Sequence, residues 1–226
     1  MTIFTPATPP GSETELQDRV AQLAGMTLAQ LAQAISSDIP NQQRHAKGWI
    51  GTAVEVYLGA RAASKPEPDF PHLGIELKTL PVNRHGRPKE STYICTVPLT
   101  GLTGLTWEHS TVKKKLARVL WVPIEADPVI PFITRRFGNA FFWSPDADQE
   151  SELRTDWEEI MELVRLGELS SINSRFGKVM QIRPKAMNAQ ALTRTVTETG
   201  ETGLTLPRGF YLRASFTHQI LVRSQE

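Results

Sequence analysis

At 226 residues, with 40% hydrophobic and 22% charged side chains, the chain has the make-up of a folded globular protein and not of a disordered tail or fibrous repeat. Its length suits one ordinary domain or two small lobes. The formal net charge is only +1, yet nine acids against two arginines between Asp146 and Glu168 give that segment −7 and leave +8 on the remainder. Most of the chain is therefore basic, as a partner of a polyanion would be.

The start, "MTIFTPATPPGSETE", has neither the basic residues nor the apolar run of an export signal, and no later stretch approaches the ~18 apolar residues of a membrane span. Cys95 is the only cysteine, which excludes an internal disulfide and cysteine-ligated zinc. Both features lead us to expect a cytoplasmic protein without a membrane partner. The Pro/Thr/Ser-rich residues 1–11 predict a flexible arm.

Ser12 before "ETELQDRVAQLAG" predicts a helix N-cap, with Leu16, Val20 and Leu23 at helical spacing and Gly25 as the stop. A short helix follows from Thr27. "KGWIGTAVEVYLGA" (47–60) reads as a mostly buried helix whose anomaly is Glu55. From Gly74 the period changes to two, with Ile75, Leu77 and Thr79 on one face and Glu76, Lys78 and Leu80 on the other. "STYICTVPL" (91–99) after the turn-like "NRHGRP" predicts a hairpin partner for that strand. A short helix capped near Ser110 and a central apolar strand, "RVLWVPIEA" (118–126), come next. "FITRRFGNAFFWSP" reads as a further extended pair, and the acidic segment from Asp146 as an amphipathic helix with a charged outer face. "VMQIRPK" and "GFYLRAS" read as strands, "NAQALTRTVTE" as a helix, and the C-terminus as a short helix. The sum is mixed α/β, a sheet flanked by helices.

The alternation places the Glu76 carboxylate and the Lys78 ammonium side by side, ~6–7 Å apart at the backbone, with Asp69 arriving from the preceding loop. Two neighbouring carboxylates repel unless a positive charge lies between them, and hard divalent cations such as Mg²⁺ favour carboxylates, a carbonyl and phosphate oxygens. A lysine beside them can orient or deprotonate a water, or neutralise charge that builds on a phosphate. Glu55 shares a helix face with Gly48, Gly51, Thr52 and Gly59 and can support the site from a second side. The competing reading is an exposed ion pair on a half-solvated strand.

In order and spacing, "KGWIG", "VEVYLGA", "SKPEPDFPHLGIELKTLPV", "VPLTG", "KKKLARVLWVPIE", "IRPKA" and "LTLPRGFYL" resemble the MutH family of mismatch-repair endonucleases, from about Leu23 to Phe216. The resemblance implies the α/β fold class of type II restriction enzymes, with a mixed sheet flanked by helices. It also implies a single domain over 1–226 whose N-terminal and C-terminal sub-lobes form two arms around a DNA cleft. Asp69, Glu76 and Lys78 match the Asp, gap, Glu-x-Lys pattern of those enzymes, and Glu55 the family's helix carboxylate. By this resemblance Asp69, Glu76, Glu55 and the Leu77 carbonyl hold one or two Mg²⁺ ions, and Lys115 lies near the active site. Arg183, Pro184, Lys185, Tyr211 and Tyr93 match positions that read the DNA site and its methyl group, Tyr93 standing where many relatives have Phe; Lys47, Lys113 and Lys114 join them as DNA contacts. The implied activity is nicking of the unmethylated strand at hemimethylated GATC sites in double-stranded DNA, by a monomer activated by the ATPase MutL and through it linked to MutS.

The residues support these roles unevenly. Arg183 has the fork to pair with guanine O6 and N7, but a phosphate contact or surface ion pair is the commoner use of an arginine. Tyr211 can pack on a base methyl, or serve as a half-buried strand residue. Lys113, Lys114 and Lys115 read most simply as phosphate binders. The five histidines show no metal-ligand spacing, and neither a Walker loop nor GxGxxG is present, so any ATP dependence belongs to a partner. Two other readings stand beside the first: a double-strand-cutting restriction nuclease of the same fold, and a DNA-binding module without catalysis.

Overall fold

The structure, a computed structural model, describes residues 7–40, 43–60, 66–173, 175–185 and 190–225, with the backbone alone for 43–47. In chain order the elements are α1 (Glu13–Ala21), α2 (Leu28–Ala34), α3 (Gln43–Leu58), β1 (Glu76–Val82), β2 (Thr92–Thr96), α4 (Thr111–Leu116), β3 (Val119–Glu125), β4 (Phe141–Trp143), α5 (Ala147–Arg165), β5 (Met180–Pro184), β6 (Thr193–Val196), β7 (Thr202–Thr205), β8 (Arg208–Leu212) and α6 (Ala214–Arg223). They fall into two compact units: the chain up to Lys89 with Ala117–Ser144, and Glu90–Leu116 with the chain from Pro145 onward. Among the described residues no helix is long and apolar enough to cross a membrane.

In the first unit, α1, α2 and α3 pack with the mixed sheet β1-β3-β4. Ser12 caps α1 by accepting from the Glu15 N–H (3.1 Å), and Thr27 and Gln30 close a reciprocal cap on α2. Of the arm expected to be flexible, residues 1–6 lie outside the described residues. Farther along it, the Thr8 carbonyl accepts from Arg19 (2.5 Å) and the Pro10 carbonyl lies 2.6 Å from His72 Nε2. A Cβ at Gly59, which ends α3 with φ +81, would lie 2.7 Å from the carbonyl oxygens of Ala7 and Thr8. The apolar strand β3 is central, parallel to β1 and antiparallel to β4. Leu77, Leu120, Val122 and Ile124 join Leu16, Val20, Leu31, Val54 and Leu58 in one buried core.

Alternation along β1 governs its neighbours. Glu76 donates its N–H to the Arg118 carbonyl (2.9 Å) and Val82 accepts from Ala126 (2.8 Å), so even positions bond β3 while Leu77, Thr79 and Pro81 face the outer edge. Pro81, with no N–H, is tolerated because it points to that edge. The expected hairpin of β1 with residues 91–99 does not form. "NRHGRP" does turn back, closing with Lys89 N–H to Pro81 O (3.0 Å), but β2 then pairs antiparallel with β8 in the other unit. The reason lies in the donors: of the three outward positions on β1, Leu77 gives its N–H to Asp69 and Pro81 has none.

The second unit holds the antiparallel sheet β2-β8-β5 with β8 in the middle, and a separate ribbon, β6-β7. That ribbon corrects the predicted helix over "NAQALTRTVTE", of which residues 188–189 lie outside the described residues. "TRTV" is rich in β-branched side chains, which lose rotamer freedom in a helix and suit a strand, and Gly200 at φ +81 supplies the turn. The capped helix α5 is amphipathic as predicted, except that Asp156 is not on its solvated face. It is buried, accepting from the N–H groups of Lys178 (2.8 Å), Val179 (2.7 Å) and Met180 (2.7 Å). Asp156 thereby ties the middle of α5 to the start of β5.

Candidate active site

The six-residue gap between Asp69 and Glu76 is the length of one closed turn. Phe70 and Ile75 bond each other in both directions, N–H to O, at 2.9 and 3.3 Å, with Gly74 at φ +67 making the bend. An antiparallel pair at 70 and 75 leaves Asp69 across from Glu76. Asp69 Oδ2 accepts from the Leu77 N–H (2.8 Å), which fixes the carboxylate against the edge of β1. Lys78, two residues along the same face from Glu76, donates through Nζ to Glu76 Oε1. The side chains of this pair are 15% and 2% exposed, and Asp69 is 5% exposed, so the exposed-ion-pair reading is excluded.

The opposite face of β1 supplies the reason for this burial. Ile75 and Leu77 anchor the strand in the helical core, which forces Glu76 and Lys78 onto the other face beside Val119 and Trp121, their partners in the parallel register. The edge of the strand matters as well. A strand residue's N–H and C=O point the same way, so the Leu77 carbonyl is turned to the edge where its N–H holds Asp69.

Two carboxylates and a backbone carbonyl, all hard oxygen donors, are thus presented along and beside one strand, and their chemistry suits a Mg²⁺-sized cation. Among the described residues no three acidic, histidine or cysteine side chains gather at metal-binding spacing. The structure thus does not assemble Glu55 with Asp69 and Glu76 into a three-acid group. Glu55 is half-buried on α3, which packs against β1.

The remaining predicted residues lie in the second unit, apart from Lys47, whose side chain is outside the described residues. The register sets Tyr211 between Tyr93 and Gln181, and Arg183 opposite Gly209. The two tyrosine rings meet edge to face, 5.4 Å between centroids at 63°. Lys185 Nζ sits 3.5 Å from the Tyr93 centroid, and Arg183 Cζ 5.9 Å from that of Tyr211. Burial pushes the Tyr211 hydroxyl above the usual tyrosine pKa, with Tyr93 adding to the shift and Arg183 opposing it. Arg183, Pro184 and Lys185 are exposed. Sequence reasoning missed Thr96, whose Oγ1 lies 3.1 Å from the Tyr93 hydroxyl across an irregular register between Tyr93 and Cys95; nothing in the sequence marks that irregularity.

The three successive lysines of α4 have different surroundings. Lys113 Nζ pairs with Glu150 Oε1 at 2.7 Å, Lys114 is exposed, and Lys115 is buried. The Lys113 hydrogen bond, and then that of Trp107, holds the Glu150 carboxyl below its ordinary pKa.

Known proteins share much of this sequence. The family model described as "DNA mismatch repair enzyme MutH" matches residues 58–156, which include Asp69, Glu76 and Lys78. A DNA mismatch repair protein MutH of Serratia proteamaculans is 52% identical over 215 residues, covering 95% of this chain and 94% of its own. One from Klebsiella pneumoniae is 51% identical over 217 residues (96% and 94%), and one from Photorhabdus laumondii 48% over 222 residues (98% and 97%). The helix-flanked mixed sheet is thus of the restriction-endonuclease-like class. Within that class, the chain belongs to the MutH family of DNA mismatch-repair endonucleases.

Proposed function

We propose that this chain is a Mg²⁺-dependent endonuclease that nicks the unmethylated strand at hemimethylated GATC sites, acting in the cytoplasm as a monomer switched on by MutL downstream of MutS. The observation that carries the catalytic part is the buried set of Asp69, Glu76 and Lys78, fixed by the Phe70–Ile75 turn and the Leu77 N–H. Site specificity, methyl sensing and activation rest on family membership.

Asp69, Glu76 and the Leu77 carbonyl would hold the cation. When bound, it supplies Lewis-acid polarisation and neutralises phosphate charge. Asp69 is already oriented by a backbone donor, so its carboxylate needs no rearrangement during the reaction. The Lys78 ammonium, held beside Glu76, stabilises the negative charge that grows on the scissile phosphate and orients the attacking water. Cleavage then breaks one P–O bond and leaves the other strand intact. Lys115 and Glu55 are supporting groups in this reading.

Nicking of unmethylated, hemimethylated and fully methylated GATC duplexes, with and without MutL and with Mg²⁺ or EDTA, tests the proposal. We expect nicking of the unmethylated and hemimethylated duplexes, a large stimulation by MutL, and none in EDTA. Double-strand cutting that ignores MutL would instead identify a restriction nuclease. Arg183→Ala will lower the preference for GATC over other sequences by roughly 5–150-fold, the worth of one bidentate arginine–guanine pair at about 1–3 kcal/mol. Tyr211→Ala will change the ratio of nicking on hemimethylated to fully methylated sites; a stable variant with the native ratio removes the sensing role.

Salt adds a separate measure. DNA affinity will fall steeply with salt, and Lys114→Ala will flatten the log–log slope by roughly 0.9 for each phosphate that is no longer neutralised. Lys113→Ala will flatten it less, because Glu150 already engages that ammonium. An unchanged slope for Lys114→Ala would place α4 off the DNA path.

A further inference from the structure

Gly209 is the second residue of β8, the middle strand of its sheet, where a glycine weakens a strand and marks a site that another group approaches closely. Its backbone is not the reason for it, since Gly209 is not among the glycines with positive φ. Space is the reason. A Cβ built at Gly209 would lie 2.8 Å from Tyr93 Cε2, 3.1 Å from Tyr93 Cδ2 and 3.0 Å from Tyr211 Cε2. Gly209 and Tyr211 are two residues apart and share one face of β8, with Arg183 opposite Gly209 on one side and Thr96 on the other. The register irregularity between Tyr93 and Cys95 aims the Tyr93 ring along the sheet, and the Tyr93 hydroxyl meets the Thr96 hydroxyl at 3.1 Å. Both rings therefore lean over the one position on that face that carries no side chain.

We infer that Gly209 is a positioning residue for DNA recognition: its missing side chain is the space that sets the tilt of Tyr93 and Tyr211, and with it the placement of the cations stacked on them. The inference rests on the reading of this face as the one that reads DNA. The two rings form a single edge-to-face unit at 5.4 Å, with Lys185 on one and Arg183 beside the other. A methyl group at 209 cannot be absorbed by a flexible tip, because what it meets are ring carbons. The rings must lift or part, and the Lys185 ammonium, 3.5 Å from its ring, must follow or lose its seat. The sheet itself is spared, since Gly209 already has ordinary strand geometry. The change is thus predicted to act on recognition before it acts on folding.

The test uses the whole protein labelled with 3-fluorotyrosine, whose three tyrosines, Tyr57, Tyr93 and Tyr211, give three fluorine resonances. Gly209→Ala is expected to move the Tyr93 and Tyr211 resonances and leave Tyr57 in place, while the preference for nicking GATC over a scrambled site falls by roughly tenfold or more. Tyr93→Leu removes two of the three close approaches, so adding Gly209→Ala to it is expected to move the Tyr211 resonance less than Gly209→Ala moves it in the native background. Native resonances for Tyr93 and Tyr211 in Gly209→Ala would overturn the inference. So would an equal loss of cognate and non-cognate nicking together with melting temperature in both variants, the mark of a purely structural role. An unchanged GATC preference in Gly209→Ala overturns this inference alone if Tyr211→Ala and Arg183→Ala do lose preference. If those two variants keep it as well, the reading of the face is what fails.

Discussion

Glu76→Ala and Asp69→Ala will each lower the single-turnover nicking rate by about 10³-fold while leaving low-salt DNA affinity within about twofold, because the groups removed act on charge that develops in the transition state and not on the phosphate backbone of bound DNA. Lys78→Ala will have a similar effect on rate. The three differ in stability, which gives the prediction a second reading. Lys78 compensates a Glu76 carboxylate that is 2% exposed, so its removal weakens the compensation of a buried charge and costs up to about 3–5 kcal/mol. Removing Glu76 leaves a lysine that is 15% exposed and long enough to reach water, and Glu76→Gln should cost well under half as much. Rates from saturating enzyme, affinity by fluorescence anisotropy and denaturant titrations of the same samples separate these effects. A Glu76→Ala protein that nicks at the native rate removes β1 from the chemistry altogether.

Asp156→Ala will cost about 4 kcal/mol of unfolding free energy, the largest loss we expect from any single acidic residue of α5. One carboxylate serves three consecutive backbone donors, and two of those three bonds are buried. With alanine in place, the N–H groups of Val179 and Met180 keep no acceptor from that side chain, at roughly 1–3 kcal/mol each. Asp156→Asn keeps the shape and one acceptor oxygen. Oδ2 takes both buried bonds, so asparagine can retain those and give up only the bond from Lys178, at about a third to a half of the cost. Urea denaturation at neutral pH measures all three proteins. A loss under about 1 kcal/mol for Asp156→Ala would show that α5 and β5 are held by apolar packing alone.

Local features of the fold are legible from the residues, and partner choice is not. Ser12 and the Ser110 region declare helix starts because a cap is a contact between residues three apart. The alternation through Ile75, Glu76, Leu77 and Lys78 declares a strand and puts both charged groups on one face. Its burial cannot be read, since the pattern is the same for a wet strand and for one packed on both sides. The pairing of β2 escapes the sequence because the turn at 83–88 is real while the ladder beyond it lacks donors, a fact that requires knowing that Asp69 occupies Leu77. Asp156 looks like the eight other acids of its segment. An alanine-containing lead-in suggests a helix for the "TRTV" segment, although its own β-branched residues point to a strand.

The order in which the ribosome delivers these strands follows from the sheet order. β1 waits for β3, about forty residues later, which completes the pair that bears Glu76 and Lys78. β2 and β5 both wait for β8, the middle strand of their sheet and the last strand made. A nascent chain thus has Asp69, Glu76 and Lys78 long before it can build the surface carrying Arg183, Tyr93 and Tyr211. A ribosome that stops between Glu125 and Arg208 yields a polypeptide with Asp69, Glu76, Lys78 and the β1–β3 strands but no centre strand for that surface. On the reading proposed for these residues, such a molecule would keep the groups assigned to cleavage without those assigned to site choice, which gives quality control of unfinished chains a particular value.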